Sequence, residues 1–354
     1  MIYALLALGY NPNSHWIENA VKGMTSFLSK VDDNVHLQNS LSTIWDTALI
    51  SYAMQEAGCQ KNDHAVLSSA EYLLSVKEKQ RHSKGGWAFS ESSTSPLDID
   101  DTQAALRAIH PYAVNEKWYR KAWNEGVNWL IDIQNNDGGW GAFEKNRHQS
   151  LFTLLPIRNL KDTVIDPSTA DLTGRTLEFL GSKAQMTLTH QSIRDGVSWI
   201  LKNQETDGSW YGRWGVSYIY GTWAALTGLT AVGVSPNHSA IQRALSWLKH
   251  IQQTEGGWGE SCKSDQERTY TPLLYPTVVQ TSWALDALIA CHHHPTEEID
   301  RGIDYLLSRG TNHSSKAVTY PMGAGLPGHF YIHYHSYQHI WPLLALSHYM
   351  KKYQ

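Results

Sequence analysis

Residues 98–102 read Asp-Ile-Asp-Asp-Thr, which puts three carboxyl groups within four positions, directly ahead of the apolar run 103–109. Like charges this close resist ionising together, so the set holds at least one proton more tightly than an isolated Asp would. A carboxyl still protonated near neutral pH is an acid in search of a base. The chain also carries 15 Trp and 18 Tyr, whose ring faces can support a cation. On residue type alone three readings of the cluster stay open: proton transfer, capping of the helix that follows, and ligation of Mg²⁺. One Asp satisfies a cap; three, in a chain with 18% charged residues, exceed it.

The elements that must position this cluster announce themselves by repetition. Gly126, Trp129, Gln134, Gly138 and Trp140 recur as Gly196, Trp199, Gln204, Gly208 and Trp210, and again as Ala244, Trp247, Gln252, Gly256 and Trp258. A looser copy runs from Tyr72 through Gln80 to Gly86-Trp87, and a worn one, Gly302 to Leu306, has lost its Gln and Trp. Each copy reads as an amphipathic helix closed by a Gly-rich turn, with the Gln bonding backbone at that turn and the Trp packing over the next helix.

Between the copies lie more apolar stretches, at 43–57, 99–109, 171–181, 217–232, 277–291 and 331–350, five of them with Thr near the start (Thr47, Thr102, Thr173, Thr222, Thr281). Their partners fall at 15–29, 64–78, 118–134, 190–203, 238–252 and 297–308. Six apolar helices alternating with six amphipathic ones predict an all-α (α/α)6 barrel with the apolar set inside. No strand pattern of any length competes. In this register Asp101-Thr102 matches Asp46-Thr47 at the N-terminal edge of an inner helix, so the cluster is expected at one mouth of the barrel. The aperiodic stretch 141–170 is expected over the same mouth.

Composition removes other classes. A net charge of −4 with no dense Lys/Arg run excludes a nucleic-acid partner. Cys59, Cys262 and Cys291 are far apart and lack a Cys-x-x-Cys context, which fits a reducing cytosol and no redox role. Residues 1–9 are apolar but too short to span a bilayer and lack the features of a signal peptide; they read as the tail of a buried helix. His292–His294 reads as a solvated loop. His335 and His339 share a helical face, but with no Cys or carboxylate close by they make no metal site, and no cofactor is expected. Aromatic residues gather at corresponding helix edges: Trp45, Phe89, Phe143, Trp214, Tyr218, Tyr220, Phe330, Tyr331, Tyr334 and Tyr337. Singly such residues are core; together they could line one cavity.

Asp-x-Asp-Asp-Thr at 98–102 with the Gln…Gly-x-Trp repeats resembles the squalene–hopene cyclase family of class II terpene cyclases. Supporting stretches are 45–49, 208–215, 218–222 and 320–331. Segments 166–175, 259–264 and 334–337 are similar to the Bacillus-type branch, the tetraprenyl-β-curcumene cyclases or sporulenol synthases. The resemblance implies that Asp100 protonates a terminal alkene of a polyprenoid, with Asp98 and Asp101 holding its proton and geometry. It implies that Trp45, Phe89, Phe143, Trp214, Tyr220, Phe330, Tyr334 and Tyr337 line the cavity and stabilise successive carbocations. No metal is implied, because the proton comes from a carboxyl and no diphosphate leaves.

Two positions depart from the hopene-forming pattern: Arg175 stands where a His bonds the acid, and Leu326 replaces a Phe of the pocket. Arginine there is similar to the Bacillus-type branch, so tetraprenyl-β-curcumene is the expected substrate and squalene the alternative. Family members have roughly twice this length in two barrels. The resemblance therefore implies that 1–14 is the remnant of an inter-domain linker helix and 15–354 the barrel carrying the acid motif. It further implies a separately encoded N-terminal barrel as partner, a cytoplasmic location at the inner membrane face with weak membrane contact, and little activity of this chain alone. A non-catalytic barrel is the competing reading.

Overall fold

Tyr218–Ala231 is apolar on every face and almost wholly buried, whereas Glu297–Arg309 puts charges on one side and Ile299, Ile303 and Leu306 on the other. A helix of the first kind must sit inside a second layer made of the other kind. A computed structural model shows that layering. It describes residues 2–25, 27–31, 34–37, 40–79, 85–91, 96–147, 164–309, 315–326 and 329–354; Gln80 of the loose repeat and 148–163 of the aperiodic stretch lie outside them.

Two units divide the chain, residues 1–43 and 44–354. The first holds α1 (Ile2–Ala7), α2 (His15–Thr25) and an antiparallel hairpin of β1 (Leu28–Val31) and β2 (Asn34–Leu37). A single helix over 15–29 was expected; it stops at Thr25, because Leu28–Val31 pairs with the strand that follows instead of continuing the helix.

The second unit is an α/α barrel. Its inner helices are α3 (Thr43–Glu56), α5 (Ile99–Ala113), α7 (Ala170–Ser182), α9 (Tyr218–Ala231), α12 (Val278–Cys291) and α15 (Tyr337–Tyr353). Outer helices α4 (His64–Lys79), α6 (Lys117–Asp132), α8 (Gln191–Lys202), α10 (Ser239–Ile251) and α13 (Glu297–Arg309) back them. Neighbouring inner helices pack in chain order from α5 to α15. The ring closes through α3: Gln55 Nε2 donates to the Ala108 carbonyl of α5 (2.9 Å), and Trp45 Nε1 to the Tyr337 hydroxyl of α15 (3.1 Å). Where α7 crosses α9 the backbones touch, and a Cβ on Gly174 would lie 2.3 Å from the Ala224 oxygen.

Short elements α11 (Lys263–Glu267), α14 (Ser315–Val318), β3 (Gly323–Leu326) and β4 (Phe330–Ile332) fill the connections. The last inner helix was expected over 331–350. It begins at Tyr337, because Phe330–Ile332 pairs antiparallel with 323–326.

The repeat residues act as the spacing predicts. Gln134, Gln204 and Gln252 each donate through Nε2 to the Gly carbonyl of their own turn (2.7, 2.8 and 2.7 Å) and to a carbonyl of the next outer helix (2.8, 2.8 and 2.9 Å). Four of the five Thr residues at inner-helix starts have a partner the spacing did not reveal. Thr102, Thr173, Thr222 and Thr281 accept from the backbone N–H of Trp87, Trp140, Trp210 and Trp258 at 2.8–3.0 Å. The four repeat turns that keep their Trp are thereby clamped to the starts of inner helices.

Gly208 has φ +98°, and a Cβ there would lie 2.8 Å from the Arg243 oxygen. Gly208→Ala is expected to cost about 1–3 kcal/mol in urea unfolding. A loss below a few tenths would show that the turn adapts freely.

At the opposite ends of the inner helices charges cross-link the ring: Glu56 with Lys183 (3.0 Å) and Lys351, Arg107 with Glu178, and His348 Nδ1 with Asp286 Oδ1 (2.6 Å). Burial of Glu56 opposes its charge, but the nearby lysines and His348 override it and hold the carboxyl at about 2.

Candidate active site

Asp98 caps α5. Its extended backbone (φ −116°) ends the preceding loop, and Oδ1 accepts from the N–H groups of Asp100 (2.6 Å) and Asp101 (3.2 Å). Two further strands of chain are tied to this helix start. The Asp98 N–H donates to the Trp87 carbonyl (2.9 Å), and the Ile99 N–H to that of Ala142 (3.0 Å). Asp166 gathers the turn that carries Phe143, accepting from the N–H groups of Ala142, Phe143 and Glu144 at 2.6–2.8 Å. The capping reading thus holds for Asp98 and leaves two carboxyls over.

Asp100 lies at the start of α5 with its side chain 15% exposed, and Oδ1 accepts from Arg175 Nε (2.7 Å) and Gln103 Nε2 (2.5 Å). Asp101 is 1% exposed and neither carboxyl oxygen has a hydrogen-bond partner among the described residues. Burial, then the charges of Asp98 and Asp100, push the Asp101 carboxyl well above the usual carboxylate range. Burial, then the charge of Asp100, raises Asp98 to about 7. The cluster therefore retains protons near neutral pH, as the spacing alone predicts. Magnesium ligation is disfavoured by the guanidinium seated on Asp100. Among the described residues no group of three His, Cys, Asp or Glu is arranged to hold a metal ion.

A carboxyl whose folded pKa is raised stabilises the fold below its unfolded value near 4 and loses that contribution as pH rises through the folded value. Melting temperature is therefore expected to fall between pH 5 and 8, and Asp101→Asn to flatten that fall. A variant whose melting profile parallels the wild type would show that Asp101 does not titrate in this range.

Arg175 sits at the centre of an aromatic box. Burial works against its charge, but Asp100 overrides this and raises its pKa. Its guanidinium lies 5.4 Å from the ring centre of Trp45, 5.3 Å from Trp223 and 5.6 Å from Trp341. Nη1 reaches the Tyr220 hydroxyl at 3.4 Å. Tyr337 accepts from Trp45 and stacks on Tyr334 with ring centres 4.4 Å apart. Burial raises the phenols of Tyr220, Tyr334 and Tyr337, so these walls stay neutral.

Phe143 meets Trp214 edge-on (5.6 Å), and the Trp214 backbone N–H donates to Asp171 Oδ2 (2.7 Å). Phe89 packs partly buried against the core. Phe330 stands on β4 with 41% of its surface exposed; the Leu326 side chain lies outside the described residues. A cavity of about 460 Å³ is lined by Tyr52, Arg107, Arg175, Glu178, Trp223 and Trp341 among others, and none of the three cluster Asp residues is part of its lining.

Several residues at the site escaped sequence reading: Gln103, Arg107, Asp166, Trp223 and Trp341. Gln103 and Arg107 do carry a cue, standing three and seven residues after Asp100 on one face of α5. Nothing in the spacing marks Trp341, which reaches Arg175 only because α15 closes the ring.

The squalene-hopene cyclase C-terminal domain profile matches residues 41–351. Sporulenol synthase of Bacillus subtilis is 50% identical, covering 99% of this chain and 56% of that protein. Squalene–hopene cyclase of Alicyclobacillus acidocaldarius is 38% identical, covering 88% and 51%. The chain thus spans about half the length of the curated relatives it matches. A solved type II terpene cyclase, MstE from Scytonema, aligns over 95% of this chain and 99% of that one with TM-score 0.63 at 12% identity, a likeness of fold alone.

Proposed function

This chain belongs to the squalene-hopene cyclase C-terminal domain family, and from that premise we propose that it supplies the acid half of a polyprenoid cyclase acting on tetraprenyl-β-curcumene. The carrying observation is the asymmetry of the three carboxyls. Asp98 is committed to the cap and Asp101 is sealed in the core, while Asp100 keeps exposure at the helix mouth beside a fixed cation. An alkene is a very weak base, so protonating it needs an acid away from bulk water and π-faces, not nucleophiles, to receive the cation. In this reading the alkene π pair forms a C–H bond with the Asp100 proton, and the O–H pair stays behind on the carboxylate. Arg175 stabilises that anion at once.

Trp45, Phe89, Phe143, Trp214, Tyr220, Tyr334 and Tyr337 are the proposed lining; Leu326 and Phe330 join it if the β3–β4 hairpin faces substrate. The preference for tetraprenyl-β-curcumene over squalene is supported by the 50% identity to a sporulenol synthase. The relatives carry about as much sequence again, and a second barrel, on the same chain or separate, is the partner that would roof the cluster and keep it dry. No described helix is long and apolar enough to cross a membrane; contact with a membrane face is proposed only through the polyprene, which dissolves there.

The test incubates the full chain, alone and with the N-terminal half of the Bacillus subtilis sporulenol synthase, with each of the two polyprenes. Polycyclic product from tetraprenyl-β-curcumene is expected, more with the added half. Product from squalene alone would reassign the substrate, and product from neither would overturn the cyclase reading in favour of a non-catalytic barrel.

A further inference from the structure

Oδ1 of Asp100 accepts two hydrogen bonds, one from Arg175 Nε at 2.7 Å and one from Gln103 Nε2 at 2.5 Å. Gln103 is fully buried. Its amide cannot be turned over, because Oε1 accepts from both Nε (3.0 Å) and Nη2 (2.8 Å) of Arg107, a group that only donates. Arg107 is held in turn. It pairs with Glu178 on α7, donates to the Arg175 carbonyl (3.2 Å), and lies 5.5 Å from the ring centres of both Tyr52 and Phe179. Burial opposes charge on Glu178, but Arg107 overrides it and keeps the carboxylate ionised. A chain of fixed polarity therefore runs from Glu178 through Arg107 and Gln103 to the acid.

We infer that Gln103 is a positioning residue for the proton transfer: with Arg175 it fills Oδ1 of Asp100 with donors and so confines the transferable proton to Oδ2. A carboxylic acid carries its hydrogen on one oxygen, and a hydrogen on Oδ1 would meet two N–H groups head-on. Oδ2 makes no hydrogen bond to the described residues, and the side chain keeps 15% exposure. The O–H thus has no competing acceptor among the described residues and is free to face an alkene. When the proton leaves, its electron pair remains on Asp100, and both donors already in place stabilise the anion with no reorganisation. The cue is written along one face of α5, Asp100, Gln103 and Arg107 at i, i+3 and i+7. The inference rests on the reading of Asp100 as the proton donor and adds which oxygen delivers.

The test follows the infrared C=O stretch of protonated Asp100 in the full chain, at a pH that protonates the cluster, assigned by its disappearance in Asp100→Asn. A carbonyl accepting two donors absorbs low. Gln103→Met keeps the volume and removes one donor, so the band is expected to move to higher wavenumber, and kcat for cyclisation to fall by about 10²-fold with KM little changed. Arg107→Lys frees the amide to turn and is expected to give a smaller shift in the same direction.

An unmoved band in Gln103→Met overturns the inference whether or not cyclisation is seen. A shifted band with unchanged kcat also overturns it, by showing that the oxygen is chosen without consequence. A shifted band in a chain that cyclises neither polyprene refutes the proposed function and leaves the proton placement standing. If Gln103→Met does not fold, Gln103→Asn, which withdraws the amide by one methylene, gives the same reading of the band.

Discussion

Replacing Asp100 by Asn is expected to lower polyprene cyclisation by about 10²–10⁴-fold, the span that general acid catalysis supplies. The amide oxygen can still accept from Arg175 and Gln103, so the side chain should stay where it is. What it lacks is an ionisable proton. The effect on stability is expected to be small, because two changes oppose each other. One carboxylate fewer relieves repulsion against Asp98 and Asp101, while Arg175 loses its charged partner. Product analysis on the complemented chain, with a thermal melt alongside, separates chemistry from folding. Wild-type product yield from the Asn variant would remove Asp100 from the donor role. Asp98 and Asp101 would then be the remaining candidates, the latter buried and without a hydrogen-bond partner among the described residues.

The second large effect is expected at Arg175. Arg175→Met is predicted to cost about 3–5 kcal/mol of unfolding free energy at pH 8, the range for breaking a buried ion pair by removing one partner. Two losses combine. Asp100 is left without its counter-ion beside two other carboxyls, and Trp45, Trp223 and Trp341 lose the guanidinium they pack around. The sign of the pH dependence follows. At low pH the carboxyls are protonated and need no cation, so the penalty should shrink as pH drops from 8 to 5; it should grow as they ionise. Urea unfolding at the two pH values measures it. A penalty that is the same at both would show that Arg175 contributes packing and not charge. Arg175→His is the informative companion, since a neutral imidazole keeps a donor without the fixed charge.

The helices were legible because the barrel writes its own periodicity. Inner helices such as Tyr218–Ala231 are buried on all sides and read as apolar runs; outer ones such as Gln191–Lys202 are buried on one face and read as amphipathic. The turns were legible because Gly208 needs a positive φ and Trp210 fills a fixed slot, so composition there is constrained locally. The misreadings at 15–29 and 331–350 have one cause. Leu28–Val31 and Phe330–Ile332 are too short to show a strand pattern, and only their partner strands decide them. Helix α5 was read to Ile109 but continues past Pro111 to Ala113, because inner-ring packing outweighs the proline's penalty.

Spacing alone determined that three carboxyls would share protons at a helix start, since electrostatic repulsion over a few residues depends on nothing further along the chain. It also determined the two layers of helix, through where apolar side chains recur. It could not determine how the surroundings of the three carboxyls differ. That depends on Gln103 and Arg107 reaching Glu178, on Arg175 arriving from α7, and on three Trp residues converging from α3, α9 and α15. Those contacts join residues far apart in sequence, and only closure of the helical ring brings them within hydrogen-bond or ring distance. The sequence set the charge of the site; the barrel decided that Asp98 caps the helix, Asp101 is buried and Asp100 meets Arg175 and Gln103.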